Sequence, residues 1–109
     1  MATDWAADVK KHADKIDEEA VAGVIGHCGI ALQSADASQV SFGDKAETDR
    51  VKKNFVMKKL GITDEAAADE AIAAVGAKLK GATRRYRPTV YYLLADHFGK
   101  LDLFHKKGS

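Results

Sequence analysis

The sequence predicts an all-α protein, a single-domain bundle of about five helices. Alanine, lysine, glutamate and aspartate dominate a chain that holds one proline, a composition that favours helix over sheet. Capping side chains precede stretches in which apolar residues recur at helical spacing. No segment alternates with period two for long enough to make a strand. At 109 residues the chain is of ordinary one-domain length. It can bury roughly 65% of its unfolded surface in a single core, with no need of disulfide or metal.

The first helix is expected over 4–15, capped by Thr3, with Trp5, Val9 and Ile16 on one stripe and His12 at its edge. The second, 18–31, starts at the capping Asp17, followed by Glu18 and Glu19 in the first turn, where carboxylates oppose the positive helix end. Val21, Val24, Ile25, Cys28 and Leu32 then share an arc, with Gly23, Gly26 and Gly29 mostly opposite. Gly29 either ends this helix in a left-handed turn or lets it run on to Leu32. Three glycines at that spacing point to close approach of another backbone, within the monomer or at a dimer interface.

Gln33 to Gly43 reads as a loop with at most one helical turn, anchored by Val40 and Phe42. The third helix, 45–60, opens with Asp44 and Glu47 in a capping-box spacing and stops at Gly61, with Ile62 folding back on Met57. Its apolar residues Val51, Phe55, Val56, Met57 and Leu60 spread around the circumference, which predicts a central helix. The fourth, 64–80, has Thr63 as its cap, Ala68, Ile72, Val75 and Leu79 as its stripe, Lys78 and Lys80 in its last turn and Gly81 as its stop. The fifth, 88–98, carries Pro88 in its first turn, where the missing N–H costs nothing. Val90, Tyr91, Leu94 and Phe98 are its expected buried face and Gly99 its end. Leu101, Leu103 and Phe104 are expected to fold back, closing a domain of residues 1–104, with 105–109 a disordered tail.

The lone Cys28 excludes an internal disulfide and suits a reducing compartment. The acidic, alanine-rich start is unlike a signal peptide. The longest apolar stretch, Ala20 to Leu32, holds three glycines and His27 and is too short to span a bilayer. A cytoplasmic protein is expected, with no membrane contact. Net charge is +1, yet residues 1–50 carry five Lys/Arg against ten Asp/Glu, and residues 51–109 twelve against six. Either the halves pack together and neutralise each other, or a basic end is left to meet an anion.

Asp36-Ala37-Ser38 with Val40-Ser41, Val51-Lys52-Lys53-Asn54-Phe55, Lys58-Lys59-Leu60-Gly61, Val90-Tyr91-Tyr92-Leu93-Leu94 and His97-Phe98-Gly99-Lys100 resemble a family of short bacterial proteins, the domain of unknown function 2853. The resemblance covers roughly residues 28 to 104 and leaves out the helix around Trp5. It implies a small helical fold and assigns no functional residues.

Between Ala71 and Ala95 there is no acidic residue, yet Lys78, Lys80, Arg84, Arg85 and Arg87 fall there. The two lysines close a helix, where its dipole stabilises them by about 0.3–1 kcal/mol. The three arginines stand where the next helix begins, which disfavours cations unless an anion meets them. They are therefore expected exposed and unpaired, forming an anion site with Lys78, Lys80 and a stacking Tyr86. The opposing expectation is that they pair with Asp14, Glu18 or Glu19. The third helix also lines up Arg50, Asn54 and Lys58, with Lys52, Lys53 and Lys59 on its other sides. A lysine-bearing helix can lie against phosphates, although such lysines are usually a solvated surface.

No catalytic constellation, metal signature or nucleotide loop is present, so no cofactor is implied. His27 and Cys28 are adjacent, and on a helix their side chains diverge too far to ligate one metal. Cys28 and His97 lie on apolar stripes and are expected buried and inert. The sequence thus predicts a non-enzymatic binding domain that engages an acidic protein or a phosphate-bearing ligand such as RNA through the basic joint. The alternative is a protein-interaction or homodimer module using apolar residues near Leu101 to Phe104.

Overall fold

Pro88 to Ala95, eight consecutive residues, are buried, so the helix that holds them is surrounded. In this computed structural model, which describes residues 5–13, 16–29, 39–40, 42–81 and 85–104, the elements are helices. They are α1 (Trp5–His12), α2 (Glu18–Cys28), α3 (Lys45–Arg50), a π-helical segment (Val51–Met57), α4 (Glu65–Lys78), α5 (Arg87–His97) and a closing 3₁₀ turn (Leu101–Phe104). Helix α5 touches α1, α2, α4, the π-helical segment and the 3₁₀ turn. The centre of the bundle is therefore α5, where the third helix was expected. Among the described residues no strand forms; the one pairing is an isolated bridge between Gln39 and Tyr86.

Full burial of α5 requires its polar side chains to be satisfied, because an unpaired buried hydroxyl costs about 1–3 kcal/mol. Thr89, completely buried, donates to the Asp8 carboxylate on α1. The Tyr92 hydroxyl accepts from the Asp17 backbone N–H at 2.8 Å. Asp17 in turn caps α2, its side chain accepting from Ala20 N–H at 3.2 Å. One hydrogen bond thus seats the start of α2 on the central helix. Around these contacts Val9, Val24, Phe55, Leu79, Val90 and Leu94 are almost wholly removed from water, each contributing roughly 1.5–3 kcal/mol of burial.

The caps are legible, with small displacements. Asp44 accepts from Ala46 N–H at 3.0 Å. Helix α4 is capped by Asp64 in place of the expected Thr63, with Ala66 and Ala67 N–H donating to it at 3.0 and 3.3 Å. Both bonds end on the same oxygen, Asp64 Oδ1. Gly61 and Gly99 take φ +74 and +66, the left-handed stops expected of them. Gly29 caps α2 at φ −12, so its turn is not left-handed. The Thr3 cap, the extension of the second helix beyond residue 29, most of the 33–43 loop and the tail 105–109 lie outside the described residues.

Two further expectations change. The third helix is not uniformly α: after Arg50 it widens, with Lys58 N–H donating to the Lys53 carbonyl at 3.2 Å and Leu60 N–H to that of Phe55 at 2.9 Å, both five residues back. Of the three glycines on α2 and its cap, Gly23 alone meets another backbone among the described residues. A Cβ there would strike the Phe104 carbonyl, whereas Gly26 and Gly29 face open space. Gly23 therefore seats the 3₁₀ turn inside the monomer.

Candidate functional site: two basic surfaces

The basic joint is built by the approach of the 39–42 segment to the start of α5. Val40 N–H donates to the Arg85 carbonyl at 2.8 Å, and this pairing carries Glu47 of α3 toward Arg87. Arg87 then spends its guanidinium internally. Its Nη2 lies 2.6 Å from Glu47 Oε1, with the two side chains only 14% and 16% exposed. Nη1 donates to the Tyr91 hydroxyl at 2.9 Å and Nη2 to the Gln39 carbonyl at 3.4 Å. Tyr91 itself stacks on Phe55 with centroids 3.9 Å apart.

The expectation of exposed, unpaired arginines is thus corrected at Arg87. The partner does come from the acidic half, but it is Glu47, not Asp14, Glu18 or Glu19. Glu18 pairs with Lys10 at 3.1 Å, and Asp14 lies outside the described residues. The sequence hid this because Glu47 sits three residues after Asp44 and fits a capping box. Its reach across 40 positions to Arg87 leaves no local signal.

Arg85 is half-buried. It donates from Nη2 to the Lys80 carbonyl at 3.4 Å, lies 5.9 Å from the Phe42 ring centroid, and keeps a buried Nε without an acceptor. Tyr86 is half-buried at the bridge to Gln39, while Lys78 and Lys80 are exposed. Arg84 lies outside the described residues.

A second basic surface has cleaner geometry. From Arg50 to Thr63 the chain holds five cations and no carboxylate. Two of the five are engaged: Arg50 with Glu47 at 3.6 Å, and Lys52 with Asp49, Glu65 and Asp69 at 4.0, 3.4 and 3.2 Å. Lys53, Lys58 and Lys59 are exposed. Among the described residues none of these three pairs with a carboxylate. The i→i−5 bond from Lys58 to Lys53 sets those two side chains one widened turn apart. At α-helical pitch, five residues would place them about 140° apart. Reading at period 3.6 had grouped Lys58 with Arg50 and Asn54 instead.

Lys59 extends over the Phe104 ring, its Nζ 5.4 Å from the centroid. His27, exposed on α2, completes the patch, its ring 5.7–6.1 Å from those of Phe55, Tyr91 and Phe104. Burial against these rings, then the Lys59 charge, lowers the His27 pKa below its usual 6.5.

Of the two groups expected buried and inert, Cys28 is buried and His97 is not. Burial pushes the Cys28 thiol up to about 12, opposed by the Arg87 charge. His97, expected on the buried face, is exposed. It lies past the last buried residue of α5, edge-on to Phe98 at 5.1 Å. Among the described residues no group of three or more His, Cys, Asp or Glu side chains is arranged to hold a metal. No described helix is long and apolar enough to cross a membrane. Leu103 is the one large apolar side chain found exposed there, and Phe104 is buried.

These features define a small all-α domain with a closed core and two cationic surfaces of different character. The chain matches the family DUF2853, described as a protein of unknown function, over residues 4–102, and it belongs to that family. The match takes in the first helix, which the sequence resemblance had left out. No curated protein matches the chain.

Proposed function

We propose that this is a non-enzymatic binding domain for a phosphate-bearing, polyanionic partner, and that its contact face is the lysine row that starts on the π-helical segment and runs into the turn after it. One observation carries the reading: Lys53, Lys58 and Lys59, within one seven-residue stretch, are exposed while the neighbouring Arg50 and Lys52 are neutralised by carboxylates. The joint supports it less well, because Arg87 is consumed by Glu47. The negative end of the helix favours Lys58 and Lys59 without a partner, so the row persists in the free protein at little cost. An anion then meets ammonium groups that need break no existing pair. Such binding is electrostatic and not base-specific, and weakens steeply with salt.

The test is titration of labelled protein with short single-stranded RNA and with polyphosphate at low salt. Wild type is compared with Lys53→Ala/Lys58→Ala/Lys59→Ala and with Arg84→Ala/Arg85→Ala. The lysine triple should lose at least about tenfold in affinity and flatten the salt dependence by about two contacts' worth of slope. The arginine pair should change affinity by less than about threefold, as for charges outside the contact face. No binding at low salt, or a larger loss in the arginine pair, defeats the reading.

A further inference from the structure

An open cleft of about 350 Å³ lies between α3 and α4, bordered by the joint, whose Arg85 lies 5.9 Å from the Phe42 ring centroid. Phe42, Ile72 and Ala73 supply its apolar lining, and Thr48, Asp49 and Asp69 its polar lining. Gly76 helps set the shape: a Cβ there would come within 3.1 Å of the Phe42 ring, so any other residue would push the ring back by a few tenths of an ångström. The volume falls in the range of small-molecule sites, which combine apolar walls with a few convergent polar groups.

The charge in this cleft is unbalanced in one direction. Asp49, Asp69 and the neighbouring Glu65 converge on a single cation, the Lys52 ammonium, at 4.0, 3.2 and 3.4 Å. Lys52 is only 11% exposed at its side chain, so it is fixed in place and holds the two aspartates at the cleft. Three carboxylates against one ammonium leave about two formal negative charges that this ammonium does not balance. Among the described residues no cation lines the cleft; Arg85 approaches its Phe42 ring, and Arg50 is drawn to Glu47.

We propose that this cleft binds a small organic cation, a primary ammonium or guanidinium group carried on a short apolar body. The body lies on Phe42, Ile72 and Ala73, and the cationic head meets Asp49 and Asp69, with the Thr48 hydroxyl as a further acceptor. Both carboxylates are substantially exposed, at 44% and 63% of their side chains. The charge contacts are therefore modest, and affinity should be on the order of 1 mM for a ligand of such size.

The probe is 2-phenylethylammonium, titrated against isotope-labelled full-length protein and followed by backbone amide NMR shifts. Phenylacetate has the same body with the opposite charge, and methylammonium has the head without the body. Shifts should cluster at Thr48, Asp49, Asp69, Ile72, Ala73 and Gly76 and saturate, with 2-phenylethylammonium at least tenfold tighter than either control. Ala73→Leu fills the cleft from an exposed helical position, leaves the Lys52 network intact, and should reduce affinity at least tenfold. Asp49→Asn should weaken binding about threefold, as expected for one exposed charge. The proposal is overturned by scattered or absent shifts up to about 20 mM, well above the expected range. It is equally overturned by phenylacetate binding as tightly, or by unchanged affinity in Ala73→Leu. Binding of a capped lysine or arginine peptide more than tenfold tighter would assign the cleft to a partner protein's side chain and also overturn it.

Discussion

The two basic surfaces have similar composition and opposite physics. At the joint, Arg87 is mostly buried, paired with Glu47, and bonded to Tyr91 and Gln39. On the π-helical segment and the turn after it, three lysines are exposed to water beside two cations that carboxylates already hold. Arginine suits the first role because its planar fork makes several fixed hydrogen bonds at once. Lysine suits the second because its ammonium is strongly hydrated and stays out of the core on a flexible stem. Local cation density therefore does not identify a binding surface; what matters is which carboxylates the fold delivers.

The largest expected effect lies at the joint. Removing one member of a buried pair strands the other, typically at 3–5 kcal/mol. Because Arg87 and Glu47 retain slight exposure, Arg87→Ala should cost about 2–4 kcal/mol, read from urea denaturation. A double-mutant cycle with Glu47→Gln should return a coupling of at least about 1 kcal/mol. A loss below about 0.5 kcal/mol, typical of a surface charge, would erase the distinction between the two surfaces.

Next in size is an alkaline effect in the core that Arg87 adjoins. Burial raises the Cys28 thiol from 9.0 to about 12 and raises the phenols of Tyr91 and Tyr92 above their usual 10. In each case the folded chain holds its proton to higher pH than the unfolded chain does. The unfolded state thus binds fewer protons once pH passes about 9, and stability falls as pH rises from there. It is fully present below that point. The melting temperature should hold steady from pH 7 to 8.5 and decline toward pH 11, less steeply in Cys28→Ala. Native Cys28 should also react slowly with thiol reagents, since its thiolate is disfavoured. Fast labelling at neutral pH would show that this side of the core opens.

Much of the scaffold was legible because its signals are local. Asp17, Asp44 and the Thr63–Asp64 step mark helix starts, Gly61 and Gly99 mark stops, and Ala68, Ile72, Val75 and Leu79 form a stripe that is wholly buried. The misreadings arose where distant contacts decide. Helix α5 has no amphipathic pattern because Pro88 to Ala95 are buried on every side, so periodicity could not mark it as central. The buried face of the third helix was blurred because the period itself changes at Val51. The joint was misjudged because Glu47 and Arg87 are far apart in sequence. What could have found the lysine row was the absence of any carboxylate from Arg50 to Thr63, a run as free of acid as the joint but read only residue by residue.

A smaller effect sharpens the contrast from the other side. Lys53→Ala/Lys58→Ala/Lys59→Ala should change stability by no more than about 1 kcal/mol, most of it from the Lys59 contact with Phe104. The same variant should lose polyanion binding. A drop comparable to that of Arg87→Ala would place the lysines in the fold's own support instead of on a contact face.

The smallest effect is the most local, and His27 reports it. Its imidazole should titrate below 6.5, because burial against Phe55, Tyr91 and Phe104 and the charge of Lys59 both disfavour the proton. A base whose folded pKa is lowered contributes stability that is present above 6.5 and lost as pH falls through that value. Lys59→Ala removes one of the two causes, so the His27 pKa followed by NMR should rise by a few tenths of a unit. A polyanion on the lysine row brings negative charge beside the ring and should raise it further, so binding tightens as pH drops toward 6. An anion held at the joint would leave this value where it was. A His27 pKa unmoved by saturating polyphosphate would therefore separate binding from the lysine row, even if the protein bound the anion elsewhere.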